Sequence, residues 1–403
     1  MGLVSFVAAC WALVRVQYLA LVSVVIRLPV PPSSSRLLTS ASDAKGNLTP
    51  WLKNASSPAP APTSGSISAT SFIDGVDGHN HRHHHDVDLA YRYASSSGKA
   101  SYIYPYVGTG AVGLTYTNGT GTSTSLYRPR SVTGDASGNL YILESDGVVK
   151  YVEFSSWKVS TLFQRGTTNL YWDGGNNFAD ASPRSMVYDQ VNSVLYVGDT
   201  YNDRVKKFSI SGSTLTAGSN WVVYAGGGSN SGSTSSDLAA TSIFMRYPTG
   251  VALDSSQNLY ICDYYYYVIR KVTRSTGKAS IVAGIYNSAG YSADSTAAIS
   301  SKLSYPMSIT LDSSDNLYIM DSAYNVVRKV SSSDGIMTIF AGKFNVRCGT
   351  TTGCGDDGPA TSATLAFDTN FGFHPSLGVD SSDNVYVSDS QGASVRVISS
   401  SVR

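Results

Sequence analysis

Residues 305–321 read Tyr-Pro-Met-Ser-Ile-Thr-Leu-Asp-Ser-Ser-Asp-Asn-Leu-Tyr-Ile-Met-Asp. An apolar run leads into Asp-Ser-Ser-Asp-Asn, and a second apolar run follows at once. Asp, Ser and Asn bond their own backbone in tight turns, so the stretch is a strand, a turn and an antiparallel strand. The same grammar returns as GDASGNLYILES from Gly134, YDQVNSVLYVGD from Tyr188, LDSSQNLYICD from Leu253 and VDSSDNVYVSD from Val379. The leading aspartates, Asp135, Asp189, Asp254, Asp312 and Asp380, are spaced 54, 65, 58 and 68 residues apart. Behind each hairpin comes a third apolar arm such as VIRKV, a Ser/Gly turn and a fourth such as ASIVAG or MTIFAG. Four antiparallel strands in a repeat of this length make a propeller blade.

The expected fold is therefore an all-β propeller of four-stranded antiparallel blades, occupying 87–403. Five blades are counted, or six if 87–93 or 106–128 adds more sheet. The last repeat ends after Ser394-Val-Arg-Val-Ile398 without a fourth strand, whereas SSSGKASYIYPYVG from Ser95 matches the turn and fourth strand of the other repeats. A strand near Ala100 to Val107 is expected to complete the last blade and close the ring, which removes exposed sheet edges.

Two segments precede the propeller. Residues 1–28 hold an apolar stretch from Leu3 to Ile26, interrupted by Arg15 and Gln17, and read as a signal peptide or a signal anchor. Residues 29–86 are Ser-, Pro- and Ala-rich, lack the apolar content for a core and read as a flexible linker. Its His79–Asp86 end, rich in histidine, reads as low-complexity linker, with no packing to fix metal ligands. These segments point to a secreted or membrane-anchored protein on the extracellular side. Asn47, Asn54 and Asn118 stand in glycosylation sequons. Cys348 and Cys354 are close enough in sequence to form a disulfide in an oxidising compartment, while Cys10 and Cys262 read as buried thiols.

The repeats resemble the NHL-repeat family of propellers, through YPTGVALDSSQNLYICD with VIRKV and IVAG, and YPMSITLDSSDNLYIMD with VVRKV and IFAG. Gly355-Asp-Asp-Gly-Pro-Ala-Thr361 looks like the family's blade-connecting segment. The resemblance spans roughly Tyr91 to Arg403, strongest in the third and fourth repeats. It implies a fold and leaves the function open, because propellers host catalysts, sensors and plain interaction modules.

Each second strand ends in an acid, followed seven residues on by a base in the third strand: Asp199 with Lys206, Asp263 with Arg270, Asp321 with Arg328 and Asp389 with Arg396. In the first repeat Glu144 and Lys150 are six apart. Hairpin geometry brings such groups together as structural ion pairs, and recurrence in every blade speaks for architecture over catalysis. Propeller lyases resembling this family hold a metal with channel histidines, yet His374 is the one histidine of the repeat region. No Gly-x-Ser-x-Gly elbow, Walker loop or HExxH motif occurs. No catalytic residue, metal site or cofactor is therefore assigned. A hydrolase or lyase acting at the central channel is the alternative to a binding scaffold.

The whole chain holds 29 Lys plus Arg against 28 acids. From Ser97 onward 22 basic and 23 acidic residues net about −1, which argues against a nucleic-acid partner. The loops joining second to third strands emerge on the same face as the blade connections, and they carry Tyr201, Tyr264, Tyr265, Tyr266, Tyr267 and Tyr324. Tyrosine offers a large contact area with a hydrogen-bonding tip, so this loop-rich face is the expected binding surface for a protein or small-molecule ligand.

Overall fold

Leu253 and Leu259 pair across the Asp254–Asn258 turn of the third repeat, and Val251 faces Ile261. The turn is held by Asp254: its Oδ1 accepts the N–H groups of Ser256 (3.0 Å) and Asn258 (2.8 Å), and its Oδ2 accepts Asn258 Nδ2 (2.8 Å). Asp312 does the same for Ser314 and Asn316, and Asp380 for Ser382 and Asn384. The residue before each asparagine adopts the left-handed region (Gln257 φ 61°, Asp315 φ 60°, Asp383 φ 59°), which short polar side chains tolerate best. In two repeats that residue also fastens the neighbouring blade. Asp315 accepts the N–H (2.8 Å) and hydroxyl (2.6 Å) of Ser255, and Asp383 accepts the same pair from Ser313 (2.8 and 2.6 Å). The Asp-Ser-Ser-Asp-Asn run is thus turn and inter-blade clasp at once.

In a computed structural model the described residues are 107–108, 119–163, 183–211, 214–215, 221–228, 238–348, 354–356, 358–367, 369, 375–389 and 394–399. They form five antiparallel blades. The first runs through Pro129–Gly134, Leu140–Glu144, Val149–Val152 and Lys158–Phe163. The second comprises Ser185–Asp189, Val194–Asp199, Arg204–Ser211 and Val222–Gly226. The third is Pro248–Leu253, Leu259–Asp263, Val268–Thr273 and Lys278–Ala283, and the fourth Pro306–Leu311, Leu317–Asp321, Val326–Val330 and Ile336–Ala341. The fifth has three described strands, Leu377–Val379, Val385–Asp389 and Ser394–Ile398. Two-residue strands at Gly119–Thr120, Leu238–Ala239 and Thr296–Ala297 pair with the outermost strands of the first, third and fourth blades. These small pieces were not legible as separate strands.

The core lies between blades. Val205, Met245, Val251 and Ile261 pack the second blade on the third, and Cys262, Ile269, Ile309 and Ile319 the third on the fourth. Inner strands are tied by hydroxyls: Ser131 Oγ accepts the Met186 N–H (3.0 Å), Thr249 donates to Pro306 O (3.2 Å), and Ser308 Oγ accepts the Leu377 N–H (2.9 Å). The strand expected to close the ring, near Ala100, lies outside the described residues apart from its end. Val107 there packs into the first blade with Leu126 and Val152. Residues 1–28, 29–86 and the sequon asparagines Asn47, Asn54 and Asn118 also lie outside the described residues. Among the described residues no helix is long and apolar enough to cross a membrane.

Candidate functional site

Every blade connection must be brought onto the sheet at the point where an inner strand begins. A carboxylate at the end of the second strand does this. Asp263 Oδ1 accepts the Arg246 N–H (2.9 Å), Asp321 Oδ1 that of Ser304 (2.9 Å), Asp389 Oδ1 that of Ala366 (3.0 Å), and Glu144 Oε1 that of Tyr127 (3.0 Å). In the third, fourth and fifth repeats the arginine also takes a connection carbonyl: Arg270 Nη2 reaches Phe244 O (3.2 Å), Arg328 Nη2 reaches Ser292 O (3.4 Å) and Arg396 Nη1 reaches Thr364 O (2.6 Å). Acid and base are diagonal neighbours, because Arg270 pairs with Ile261 in register and Asp263 with Val268.

Within this scheme the pairs differ. Lys206 Nζ lies 2.9 Å from Asp199, and Arg270 Nε 2.8 Å from Asp263, all four buried. Arg396 is 3.6 Å from Asp389 and reaches Asp356 at 2.6 Å. In the fourth blade the expected direct pair opens. Arg328 turns to Asp294 at 3.4 Å, and Asp321 Oδ2, Arg328 Nε and Arg328 Nη1 are buried without a hydrogen-bond partner. Burial lifts the Asp263 carboxyl to about 6 even though Arg270 pulls it down. Asp321, with only the Ser304 N–H and a more distant Arg328 to oppose burial, is pushed up to about 7.

The clamped connections and the turns between second and third strands share one end of the molecule, and the tyrosines gather there. Three-residue 3-10 turns at Thr200–Asn202, Tyr264–Tyr266 and Ser322–Tyr324 are each closed by a left-handed residue, Asp203, Tyr267 or Asn325. The Tyr264 and Tyr265 N–H groups bond Tyr247 O (3.3 Å) and Arg246 O (3.2 Å), so turn and connection form one surface. Tyr201 meets Tyr247 edge-on at 5.7 Å, Tyr247 meets Tyr265 at 6.3 Å, and Tyr265 meets Tyr266 at 5.8 Å. Tyr266 stacks on Tyr286 at 4.7 Å, and Tyr267 meets Tyr305 edge-on at 5.3 Å. Over the fourth blade Tyr324 joins Tyr291 and Phe344. Tyr201 and Tyr265 are 42% and 38% exposed, and Phe344 37%.

Tyr264 stands apart from this surface. Its ring is buried, and its hydroxyl donates to Thr369 O at 2.9 Å across 105 residues, so it packs the interior. Conversely Tyr247, Tyr305, Tyr286, Tyr291 and Arg246 belong to the face and were not singled out from sequence. The Tyr-Pro pairs at 247–248 and 305–306 were visible, but they read as the start of inner strands. Both tyrosines hold positive φ (59° and 56°).

Cys348 and Cys354 are disulfide-bonded, with Cα atoms 5.4 Å apart, on the connection into the fifth blade. Arg396 Nη2 donates to Cys354 O (3.2 Å) there. Cys262 is a buried free thiol whose pKa burial raises well above the ordinary value. Among the described residues no group of three or more His, Cys, Asp or Glu is placed to hold a metal ion.

Residues 229–399 match the teneurin NHL domain family. No curated protein matches the chain. Among solved structures, a Bacteroides thetaiotaomicron protein of unknown function is 18% identical over 69% of this chain and 60% of its own, with a TM-score of 0.49. This chain therefore spans 60% of that protein's length. Virginiamycin B lyase from Staphylococcus aureus is 13% identical over 68% of each chain, TM-score 0.39. An auxiliary nutrient binding protein from Bacteroides ovatus is 16% identical over 65% of this chain and 66% of that one, TM-score 0.39. Likenesses this distant carry nothing about activity. Five blades of the described grammar, with the family match over the last three, support an NHL-repeat β-propeller.

Proposed function

We propose that this propeller is a recognition scaffold that binds a protein segment on its tyrosine face. The observation that carries the reading is Tyr267. The left-handed position closing the second-to-third turn is held by Asp203 and Asn325 in the neighbouring blades, residue types suited to it, but by Tyr267 in the third. A bulky residue there costs on the order of 1 kcal/mol. Its ring meets Tyr305 edge-on beside the exposed Tyr265, and backbone strain of this kind gathers at functional surfaces. Burial and the Tyr305 hydroxyl push the Tyr267 phenol up to about 12, so it stays a neutral hydrogen-bonding tip at neutral pH. Edge-to-face ring pairs hold the neighbouring tyrosines in place, which lowers the entropy lost on binding.

The test is a peptide array probed with labelled full-length chain. Tyr201→Ala and Tyr265→Ala remove exposed rings without opening the core, and Tyr267→Asn relieves the strained backbone while giving up one ring contact. All three are expected to melt within about 3 °C of wild type. Each is expected to lose most of the wild-type array signal. An unchanged binding profile in all three would remove the reading.

We further infer that the protein works outside the cell, secreted or tethered through residues 1–28. The bonded Cys348–Cys354 pair supports this, since such bonds persist in oxidising compartments. When the full chain is expressed in a secretory host, glycosidase treatment is expected to shift its mass through Asn47 or Asn54. A chain that stays unglycosylated with both cysteines reduced counts against it.

A further inference from the structure

The clamps of the third, fourth and fifth blades share one backbone frame but hold their arginines differently. Arg270 stands opposite Ile261 and Asp263 opposite Val268; Arg328 stands opposite Ile319 and Asp321 opposite Val326. In the fifth blade Arg396 faces Val387 and Asp389 faces Ser394. The same register brings each guanidinium within reach of its acid. Arg270 takes it, with Nε 2.8 Å from Asp263. Arg396 divides itself, 3.6 Å from Asp389 and 2.6 Å from Asp356. Arg328 has turned away, with Nη2 on Asp294 Oδ1 and Ser292 O, each at 3.4 Å. Asp321 Oδ2, Arg328 Nε and Arg328 Nη1 are left buried with no hydrogen-bond partner among the described residues.

What differs is the residue that each connection offers. The Ala298 and Ala360 carbonyls accept the N–H groups of Gly284 (3.0 Å) and Gly342 (2.9 Å), so the two alanines are equivalent, and an aspartate stands four residues before each, Asp294 and Asp356. Ala240 matches Ala298, because their N–H groups bond Gly277 O and Gly335 O (2.9 Å each), and four residues before it the sequence has Ser236. The arginine sits on its own acid where the connection offers serine, and is shared or moved where it offers a second carboxylate. Asp294 is 42% exposed and keeps part of its hydration, whereas ionising the buried Asp321 is costly without a direct partner. Burial pushes Asp321 up to about 7 with its arginine turned away, against about 6 for Asp263 with its arginine in place. Loss of the Asp321 proton and arrival of the guanidinium therefore favour each other.

The contacts that Arg328 now makes belong to the tyrosine face. Its guanidinium carbon lies 5.1 Å from the Tyr291 ring centroid, and Tyr291 meets Phe344 at 3.9 Å and Tyr324 at 5.9 Å. Asp294 Oδ1 also accepts the Ile339 N–H (2.9 Å), which ties the connection to the outer strand. The titratable and charged groups around Asp321 are Arg328 on the third strand, Asp294 and Tyr291 on the connection, and Tyr324 on the turn. Lys302 lies further along the connection with its stem beside Gly290. Burial raises both phenols above their ordinary value, so they stay neutral while Asp321 titrates.

We propose that the fourth-blade clamp is a proton-operated switch acting on the tyrosine face. With Asp321 protonated, Arg328 holds the connection through Asp294 and Ser292 O. When Asp321 releases its proton to water, the guanidinium moves to the carboxylate, as in the third blade, and frees the connection that carries Tyr291. The switch does not depend on what the face binds.

Heteronuclear NMR of the full chain carrying isotope-labelled arginine and tyrosine, titrated from pH 5 to 8, tests it. The Arg328 Nε signal, identified by its loss in Arg328→Lys, is expected to shift with a midpoint of about 7. The Tyr291 ring signals, identified with Tyr291→Phe, are expected to shift with the same midpoint. Asp321→Asn is expected to abolish both shifts. Asp294→Asn removes the competing charge and still accepts the Ile339 N–H, and is expected to lower the midpoint toward the value of about 6 of the directly paired Asp263. A flat Arg328 signal, shifts that survive in Asp321→Asn, or a Tyr291 ring that stays still while Arg328 moves overturns the proposal. Should Asp321→Asn fail to fold, Asp294→Asn decides alone, and an unchanged midpoint in it overturns the proposal.

Discussion

Arg270→Ala is expected to destabilise the propeller by about 3–5 kcal/mol, the cost of leaving one partner of a buried ion pair alone. Arg270 and Asp263 are 1% and 0% exposed, and their contact at 2.8 Å is direct. Removing the arginine strands the Asp263 carboxylate in the interior and frees the Phe244 carbonyl from the clamp. The connection that this pair holds carries Arg246 and Tyr247, so the loss reaches the tyrosine face. Arg328→Ala is expected to cost less. The fourth blade already lacks the direct bond, and Asp321 near neutrality can take up a proton where Asp263 must give up a contact. Guanidinium denaturation of both variants at pH 7 checks the order. Equal losses, or a greater loss for Arg328→Ala, would contradict the clamp account.

Stability is expected to fall as pH rises from 5 to 8, against the usual behaviour of paired carboxylates. A free aspartate titrates near 3.9 in the unfolded chain, whereas Asp321 is lifted to about 7 and Asp263 to about 6 by burial. Between those values the native state holds protons that the unfolded state has released, so unfolding is penalised at low pH and eased at high pH. The stabilisation is complete below about pH 4 and is lost as pH climbs through 6 and 7. For Asp321 the displacement is about three units, on the order of 4 kcal/mol across the window. Asp321→Asn keeps an acceptor for the Ser304 N–H but removes the titration, so its stability is expected to vary less with pH by about one proton. Denaturant melts at pH 5, 6, 7 and 8 measure both slopes. An identical slope in wild type and Asp321→Asn would show that this carboxyl is ionised throughout.

The blades were legible because their grammar is local. A tight turn needs Asp and Asn at set offsets, and the flanking alternation of apolar residues names the strands, so YPMSITLDSSDNLYIMD carried its own structure. The pairs Asp199 with Lys206 and Asp263 with Arg270 were legible for the same reason: seven residues across a short turn fix a diagonal contact. Asp321 with Arg328 shares the spacing but not the bond, because Asp294 on the preceding connection competes for the guanidinium. That competitor lies 34 residues away in an irregular segment, where no periodicity speaks. The same limit applied to the face. Tyr265 was visible as one of four consecutive tyrosines, yet Tyr247 and Arg246 sit on a connection 18 and 19 residues earlier, and only the fold brings them beneath it. Tyr264, alike in sequence, points inward because its backbone begins the 3-10 turn and its hydroxyl meets Thr369 O.

The recurrent acid–base pairs hold the blades and their connections together, and the binding proposed for this propeller falls to the tyrosine face. The most direct test is the peptide-array profile of Tyr265→Ala, recorded well below a melting temperature measured on the same preparation. The account predicts a melting temperature within about 3 °C of wild type and loss of most of the bound signal. A wild-type profile from this variant, or a loss of signal that merely accompanies unfolding, would contradict it.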